Sequence, residues 1–283
     1  MGWRILDGPI CPLGDPGPGG VLYEHMFVQP TSPPVVPRGA APSGRDQARE
    51  SLALLAERTR PVSSSRTRLL PVLAPLVGLF PDGSLRRGST IVIGDPTPTV
   101  GPGAGGDISV ALALLAAASG AGSWCALVGL SGLGAVAAHD IGIDLARLAV
   151  VPEPGAAWAE VTAALVDGLD VVVLLPPFPP RPAMARRLVA RVRERRAVLV
   201  VVPGRSGWPE HPDLHLRVSD AEWDGIGAGE GYLHRRRMTV TATGRRSAVR
   251  PRHLRLWVPG ATGAVAEALG DPVTEAPDPP ART

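Results

Sequence analysis

Lysine and asparagine are missing from this chain, and all 29 basic residues are arginine. No ammonium group is therefore available to any phosphate site that needs one. There are two cysteines, Cys11 and Cys125, too few and too far apart for a disulfide framework or a thiolate metal site, and the cytoplasm is the expected compartment. Aromatic residues are only 4% of the total, and the formal net charge of +3 rules out global basicity, so any nucleic-acid surface must be local. No basic region followed by an apolar run opens the chain, so a secretory signal is not expected. The 34 glycines and 32 prolines, with the missing Lys and Asn, suggest a very GC-rich genome. The 283 residues suffice for one sizeable α/β domain with appendages.

What is present is organised around Ser89 to Leu114, STIVIGDPTPTVGPGAGGDISVALAL. A β-branched run, Thr90 to Ile93, stops at Gly94; a glycine-rich turn follows; an Ala/Leu-rich helical stretch begins near Ile108. Strand, phosphate loop and helix come in that order. A working P-loop reads GxxxxGK[ST], with lysine on the outer phosphates and the hydroxyl on magnesium. Gly101 and Gly106 keep the spacing, but Asp107 replaces the lysine and Ile108 the hydroxyl. A carboxylate about 4 Å from a phosphate charge turns attraction into a repulsion of roughly 4 kcal/mol at an effective dielectric near 20.

Residues 108–138 carry no charge, yet glycines at 120, 122, 129, 132 and 134 cut the block into helix, turn, strand and turn, which favours a buried core over a membrane span. The spacing predicts strands at Cys125–Val128, Ala149–Pro152, Asp170–Leu175 and Ala197–Val202, and helices at Ala135–Leu148, Ala156–Asp167 and Ala183–Arg196. Such alternation implies a mostly parallel sheet covered on both faces. Leu214–Val218, Met238–Thr243 and Leu254–Val258 read as antiparallel strands finishing it, and the Ala-rich stretch beyond Gly260 as a short helix before a Pro/Asp tail.

Cys125-Ala-Leu-Val128, then Ile141 to Gly155, then Asp170-Val-Val-Val173 resemble the RecA core segment by segment, over roughly Leu69 to Val258. Within that superfamily the chain resembles the ImuA-prime family, RecA-like accessory proteins of actinobacterial mutagenic translesion synthesis. The resemblance implies a P-loop NTPase-type α/β fold with antiparallel C-terminal strands. It also implies damage (SOS) induction and an ImuB-type pseudo-polymerase as partner, with RecA and an error-prone C-family polymerase as further candidates. The departures from RecA point one way: Ser131 stands where the catalytic glutamate belongs, and Leu174, Leu175 and Pro176 where the magnesium-binding aspartate belongs. Residues 95–100 interrupt the approach to the loop glycines. With these four groups missing, neither catalysis nor a cofactor is expected. A divergent DNA-dependent ATPase or recombinase paralogue and a SulA-like cell-division inhibitor are the alternative readings.

The expected domains are residues 1–42, disordered; 43–68, an amphipathic helix and linker capped by Ser43; 69–260, the RecA-like core; and 261–283, a tail. Glu24-His25-Met26-Phe27 is encodable by GAA CAT ATG TTC, its own reverse complement and similar to a LexA operator, so translation is expected to start downstream.

Other motifs are weaker. Gly101–Gly106 also fits GxGxxG, but no acidic residue ends the next strand. His211 and His215 around Asp213 read as a solvated edge lacking a fourth metal ligand, and no GxSxG elbow occurs. The arginines of 186–196 read as a solvated helix face. Those near the C-terminus, Arg235, Arg236, Arg237, Arg245, Arg246, Arg250 and Arg252, with Trp257, are the candidate partner- or DNA-binding residues. In the RecA hairpin the corresponding basic residues reach a neighbouring subunit's nucleotide; here either DNA phosphates or an acidic partner would suit them, DNA being reached chiefly through partners. Trp257 has core burial as its competing reading.

Overall fold

The computed structural model describes residues 68–94, 105–204, 207–226, 231–245 and 250–268. The expected disordered segment, the amphipathic helix over 43–60 and the tail beyond 268 lie outside them.

A nine-stranded sheet dominates. In chain order its strands are β3 (Thr90–Ile93), β4 (Cys125–Val128), β5 (Leu148–Val151), β6 (Val171–Leu174), β7 (Val198–Val201), β8 (Leu214–Ile226), β9 (Gly231–Gly244), β10 (Arg252–Trp257) and β11 (Ala266–Glu267). Their spatial order is β11-β10-β9-β8-β3-β7-β6-β4-β5. From β8 to β5 every pairing is parallel; from β8 to β11 every pairing is antiparallel. The first two strands, β1 (Leu69–Leu70) and β2 (Leu85–Arg86), pair separately with each other.

The parallel strands are short and apolar because both of their faces are covered. All residues of β3, β4, β6 and β7 are buried. On one face, α1 (Asp107–Gly120) and α2 (Ala135–Ile141) pack over Ile91, Ile93, Leu127 and Val173. On the other, α3 (Trp158–Gly168) and α4 (Pro182–Arg195) pack over Val92, Val128, Val172 and Leu199. Of the uncharged block, α1 from Val110 onwards and β4 are largely interior, while Ile108 and most of residues 131–137 are exposed. No helix among the described residues is long and apolar enough to cross a membrane.

The antiparallel strands differ: Leu214, Leu216, Met238, Val240, Ala242 and Leu256 all join the first of these layers, and no residue of β8, β9 or β10 joins the second. A 3-10 turn, Ala74–Leu79, closes that layer from the N-terminal side, tight enough that a Cβ on Gly78 would sit 3.3 Å from Leu254 Cδ2.

Three expectations need correction. The helix expected within Ala135–Leu148 closes, as expected, at Ile141–Asp144 and does not run on to Leu148, because Gly142 takes a left-handed cap (φ 106°) and a 3-10 turn at Leu145–Arg147 delivers the chain into β5. Leu214–Val218 is the last parallel strand as well as the first antiparallel one, since β8 pairs parallel with β3 and antiparallel with β9. The Ala-rich stretch after Gly260 is a turn and β11 instead of a helix. Gly260 N–H donates to the Ala264 carbonyl, and Ala268 N–H to that of Arg255.

Candidate functional site

The loop strand β3 leads into Gly94, whose left-handed φ of 119° turns the chain out of the sheet. Gly101 lies outside the described residues. The chain is described again at Gly105 and Gly106, both at positive φ (154° and 135°), and Asp107 opens α1. A carboxylate in the first turn suits the positive end of the helix macrodipole. It also folds back towards β3: a Cβ on Gly94 would lie 3.0 Å from Asp107 Oδ2. Ile108 is exposed and holds nothing polar to the loop.

The hairpin of β8 and β9 packs directly on this end of the loop. A Cβ on Gly106 would meet Met238 Cε at 3.0 Å and Val218 Cγ1 at 3.2 Å, so side chains of β8 and β9 close directly over this glycine. Arg236 follows the same route. Its Nη2 donates to Ser109 Oγ at 2.7 Å, its Nε donates to the Val258 carbonyl at 3.1 Å, and its guanidinium lies 5.0 Å from the Trp223 ring centroid. Burial lowers the Arg236 pKa, and attraction to Asp107 works against that shift. The first turn of the loop helix therefore carries both a negative side chain of its own and a cation from the same chain's C-terminal hairpin.

Ser131 is exposed in the segment after β4. Leu174 is fully buried at the end of β6, and the Leu175 N–H donates to the Val128 carbonyl at 2.8 Å. Gly129 is required there, because a Cβ would overlap the Leu175 carbonyl. His215 Nε2 lies 2.7 Å from the Gly94 carbonyl, and Asp213 Oδ2 accepts from the Thr90 N–H at 2.9 Å. Both side chains thus tie β8 to β3. Among the described residues no group of three His, Cys, Asp or Glu could hold a metal ion.

The C-terminal arginines are divided by the fold. Arg235 donates to Asp224 and Arg237 to Glu222, each at 2.7 Å across the ladder, and Arg235 also lies 4.1 Å from the Trp257 ring centroid. That bond holds the exposed Asp224 carboxyl below its usual range. Arg245 and Arg250 are exposed beside the β9–β10 connection, Arg252 is partly buried, and Arg246 lies outside the described residues. Trp257 is partly buried, between the two readings the sequence allows. On α4 the wheel is amphipathic: Leu188, Val189 and Val192 are buried, while Arg191 and Arg195 bond Asp167 of α3. Arg191 stays charged the more firmly for it, its pKa raised by the hydrogen bond.

Two features escape sequence reasoning. Asp170, at the start of β6, accepts from Arg87 Nη1 at 2.6 Å and from the Trp124 N–H at 3.0 Å. The Arg236–Ser109 bond joins residues 127 apart, and nothing in the local pattern marks Arg236 out from its two neighbours.

Residues 78–210 match the family described as MT3502 N-terminal domain. Over 126 residues the chain is 40% identical to an uncharacterized protein of Mycobacterium tuberculosis, Rv3395c. That alignment takes in 43% of this chain and 61% of the relative, so the chain spans about three fifths of the length of the curated protein it matches.

Proposed function

We propose that this chain is a nucleotide-silent RecA-like adaptor of the ImuA-prime type, working in the cytoplasm in damage-induced mutagenic translesion synthesis. In this reading it acts by protein contacts with an ImuB-type pseudo-polymerase, and RecA and an error-prone C-family polymerase are further members of the assembly. The similarity to an actinobacterial relative agrees with it. So does the architecture: a parallel sheet with the loop strand inside it and an antiparallel hairpin at its C-terminal end is what the RecA resemblance implies.

The observation that carries the reading is the pairing of functions at the loop helix. Asp107 occupies the lysine position, and Arg236 is anchored to Ser109 two residues on. A triphosphate approaching this helix end would meet a carboxylate where a working loop offers an ammonium. The arginine beside it, Arg236, is attracted to that carboxylate and held by Ser109, Val258 and Trp223, so it is part of the chain's own network. Magnesium would find no carboxylate at the end of β6, and an attacking water no base at Ser131.

Millimolar ATP with magnesium is expected to leave the melting temperature unchanged, where a ligand at a hundred times its Kd would stabilise by about 2.7 kcal/mol. A saturable rise would replace the adaptor by an active ATPase paralogue. Co-purification with the pseudo-polymerase tests the partner separately.

A further inference from the structure

Residues 181–196 hold seven arginines against one carboxylate, Glu194, a formal charge of +6 in a chain that totals +3. Sequence alone makes them a solvated helix face; the fold divides them. One edge of α4 is answered from α3, where Arg191 and Arg195 share Asp167. On the other edge Arg186 has Glu210 at 3.4 Å. Arg181, Arg187, Arg193 and Arg196 are exposed, and among the described residues no carboxylate pairs with any of them. Nor does the positive charge stop at the helix. Gly88 N–H donates to the Ala197 carbonyl at 2.8 Å, and a Cβ on Gly88 would lie 3.6 Å from Arg193 Cα, so β1 and β2 abut the end of α4. Arg86 is exposed two residues before Gly88, and Arg68, also exposed, accepts the Arg87 N–H at its carbonyl. Arg87 itself holds Asp170.

We infer that the outer face of α4, with the adjoining ends of β1 and β2, binds the phosphate backbone of duplex nucleic acid directly. Helix stability does not account for the charge. Cations suit the last turn, where Arg193, Arg195 and Arg196 lie, but Arg181 stands at the N-cap, where a cation opposes the macrodipole and no carboxylate occupies the first turn. Free guanidinium groups gathered on a rigid element are what phosphate oxygens take up. A protein partner would need large apolar anchors among the arginines. The helix has none to offer: Leu188, Val189 and Val192 are buried, and between the arginines the outer face shows only Ala183, Ala190 and Glu194. A single strand would want aromatic rings to stack on, and residues 181–196 contain none. Phe178, 53% exposed, stands in the lead-in before the helix and not along it. The duplex backbone needs neither anchors nor rings, and small alanines let it come close. This inference stands whether or not the loop binds nucleotide, and whatever the C-terminal hairpin meets.

The test uses the full chain and a fluorescein-labelled duplex of about 20 base pairs, longer than α4, which spans roughly 21 Å at about 1.5 Å per residue. Anisotropy is expected to show saturable binding that weakens on the order of a hundredfold between roughly 50 and 200 mM salt, the loss for about four phosphate contacts on a duplex. Arg187→Gln with Arg193→Gln should weaken binding about tenfold or more and cut the salt slope by about two, at an unchanged melting temperature. Arg187→Lys with Arg193→Lys should keep most of the affinity, since an ammonium also neutralises a phosphate. Val136→Glu with Ala137→Glu, exposed on α2 across the sheet, changes the net charge by the same amount and should match the parent chain, as should Phe178→Ala. Absence of binding at micromolar protein in low salt overturns the inference, as does equal loss in the α2 variant. Tighter binding of a single strand of the same length, or loss in Phe178→Ala, overturns the duplex assignment in favour of stacking. If polyglutamate displaces the label as well as unlabelled duplex does at matched charge, the face belongs to an acidic protein segment and the inference fails.

Discussion

The two halves of the sheet solve the same problem differently. From β3 to β5 the strands are four residues long, apolar but for Thr90, parallel, and covered on both faces except at the β5 edge. From β8 to β10 they are longer, antiparallel and apolar on one face only. In the first half side chains serve packing, and their identity is constrained by volume and polarity. In the second, alternate side chains lie off the apolar layer, among them Arg217, Thr241 and His253, although Thr239 is still buried. Connectivity makes the difference: parallel strands need helical crossovers that cover both faces, while hairpin strands need only a turn.

The sharpest way to break the comparison is to truncate one residue in each half. Leu127, fully buried in β4, changed to alanine should cost about 2–5 kcal/mol. Thr241→Ala on the open face should stay within about 0.5 kcal/mol, both read from urea midpoints. Similar losses would mean that the open face is covered. A smaller effect is expected from Asp170→Ala at the parallel half's lower edge. There Arg87 and the Trp124 N–H lose a part-buried acceptor, at a cost of about 1–3 kcal/mol.

Next comes Arg236→Ala, which removes the tie between hairpin and loop helix. It should lower hydrogen-exchange protection around residues 105–110 and leave β4, β6 and β7 untouched. Uniform loss of protection would mean that the two halves open together. The smallest effect is at Cys125, whose buried thiol is pushed up to about 12, first by burial and then by Asp170. The folded state keeps this proton longer than the unfolded chain does. Its contribution is therefore full below the ordinary thiol pKa near 9 and is lost as pH rises from there through about 12. In a Cys11→Ser background, thiol reagents should modify Cys125 only at the rate of unfolding.

How much of this was legible in the sequence follows the same divide. Continuous apolar runs such as Val171–Leu174 and Val198–Val201 can only be buried strands, and their bounds are readable to within a residue or so. The hairpin is not so readable: Leu214–Val218 and Met238–Thr243 announce themselves, but the ladder runs on through Glu222, Trp223 and Asp224 opposite Arg237, Arg236 and Arg235. That extension is held by cross-strand ion pairs between residues that look like loop when read singly. The segment 261–268 misleads for the opposite reason, since alanine favours helix while Gly260 and Gly263 close a turn. At the candidate site, the sequence shows plainly that Asp107 and Ile108 follow the glycines at the helix start. It does not show the entry of Arg236, because that depends on which face β9 turns towards the loop.

The position of β3 has a consequence for synthesis. Thr90 pairs with Leu199, and Ile91 with Leu214, so the strand that carries the loop is the first of the large sheet to be made yet must wait for β7 and β8. At 5–20 residues per second, the intervening hundred or so residues take on the order of 5–20 s to emerge from a ribosome. Through that interval β3 has neither neighbour, while β4, β5 and β6 can already assemble. The loop strand is thus the keystone of the sheet, set only when both of its supports have been delivered.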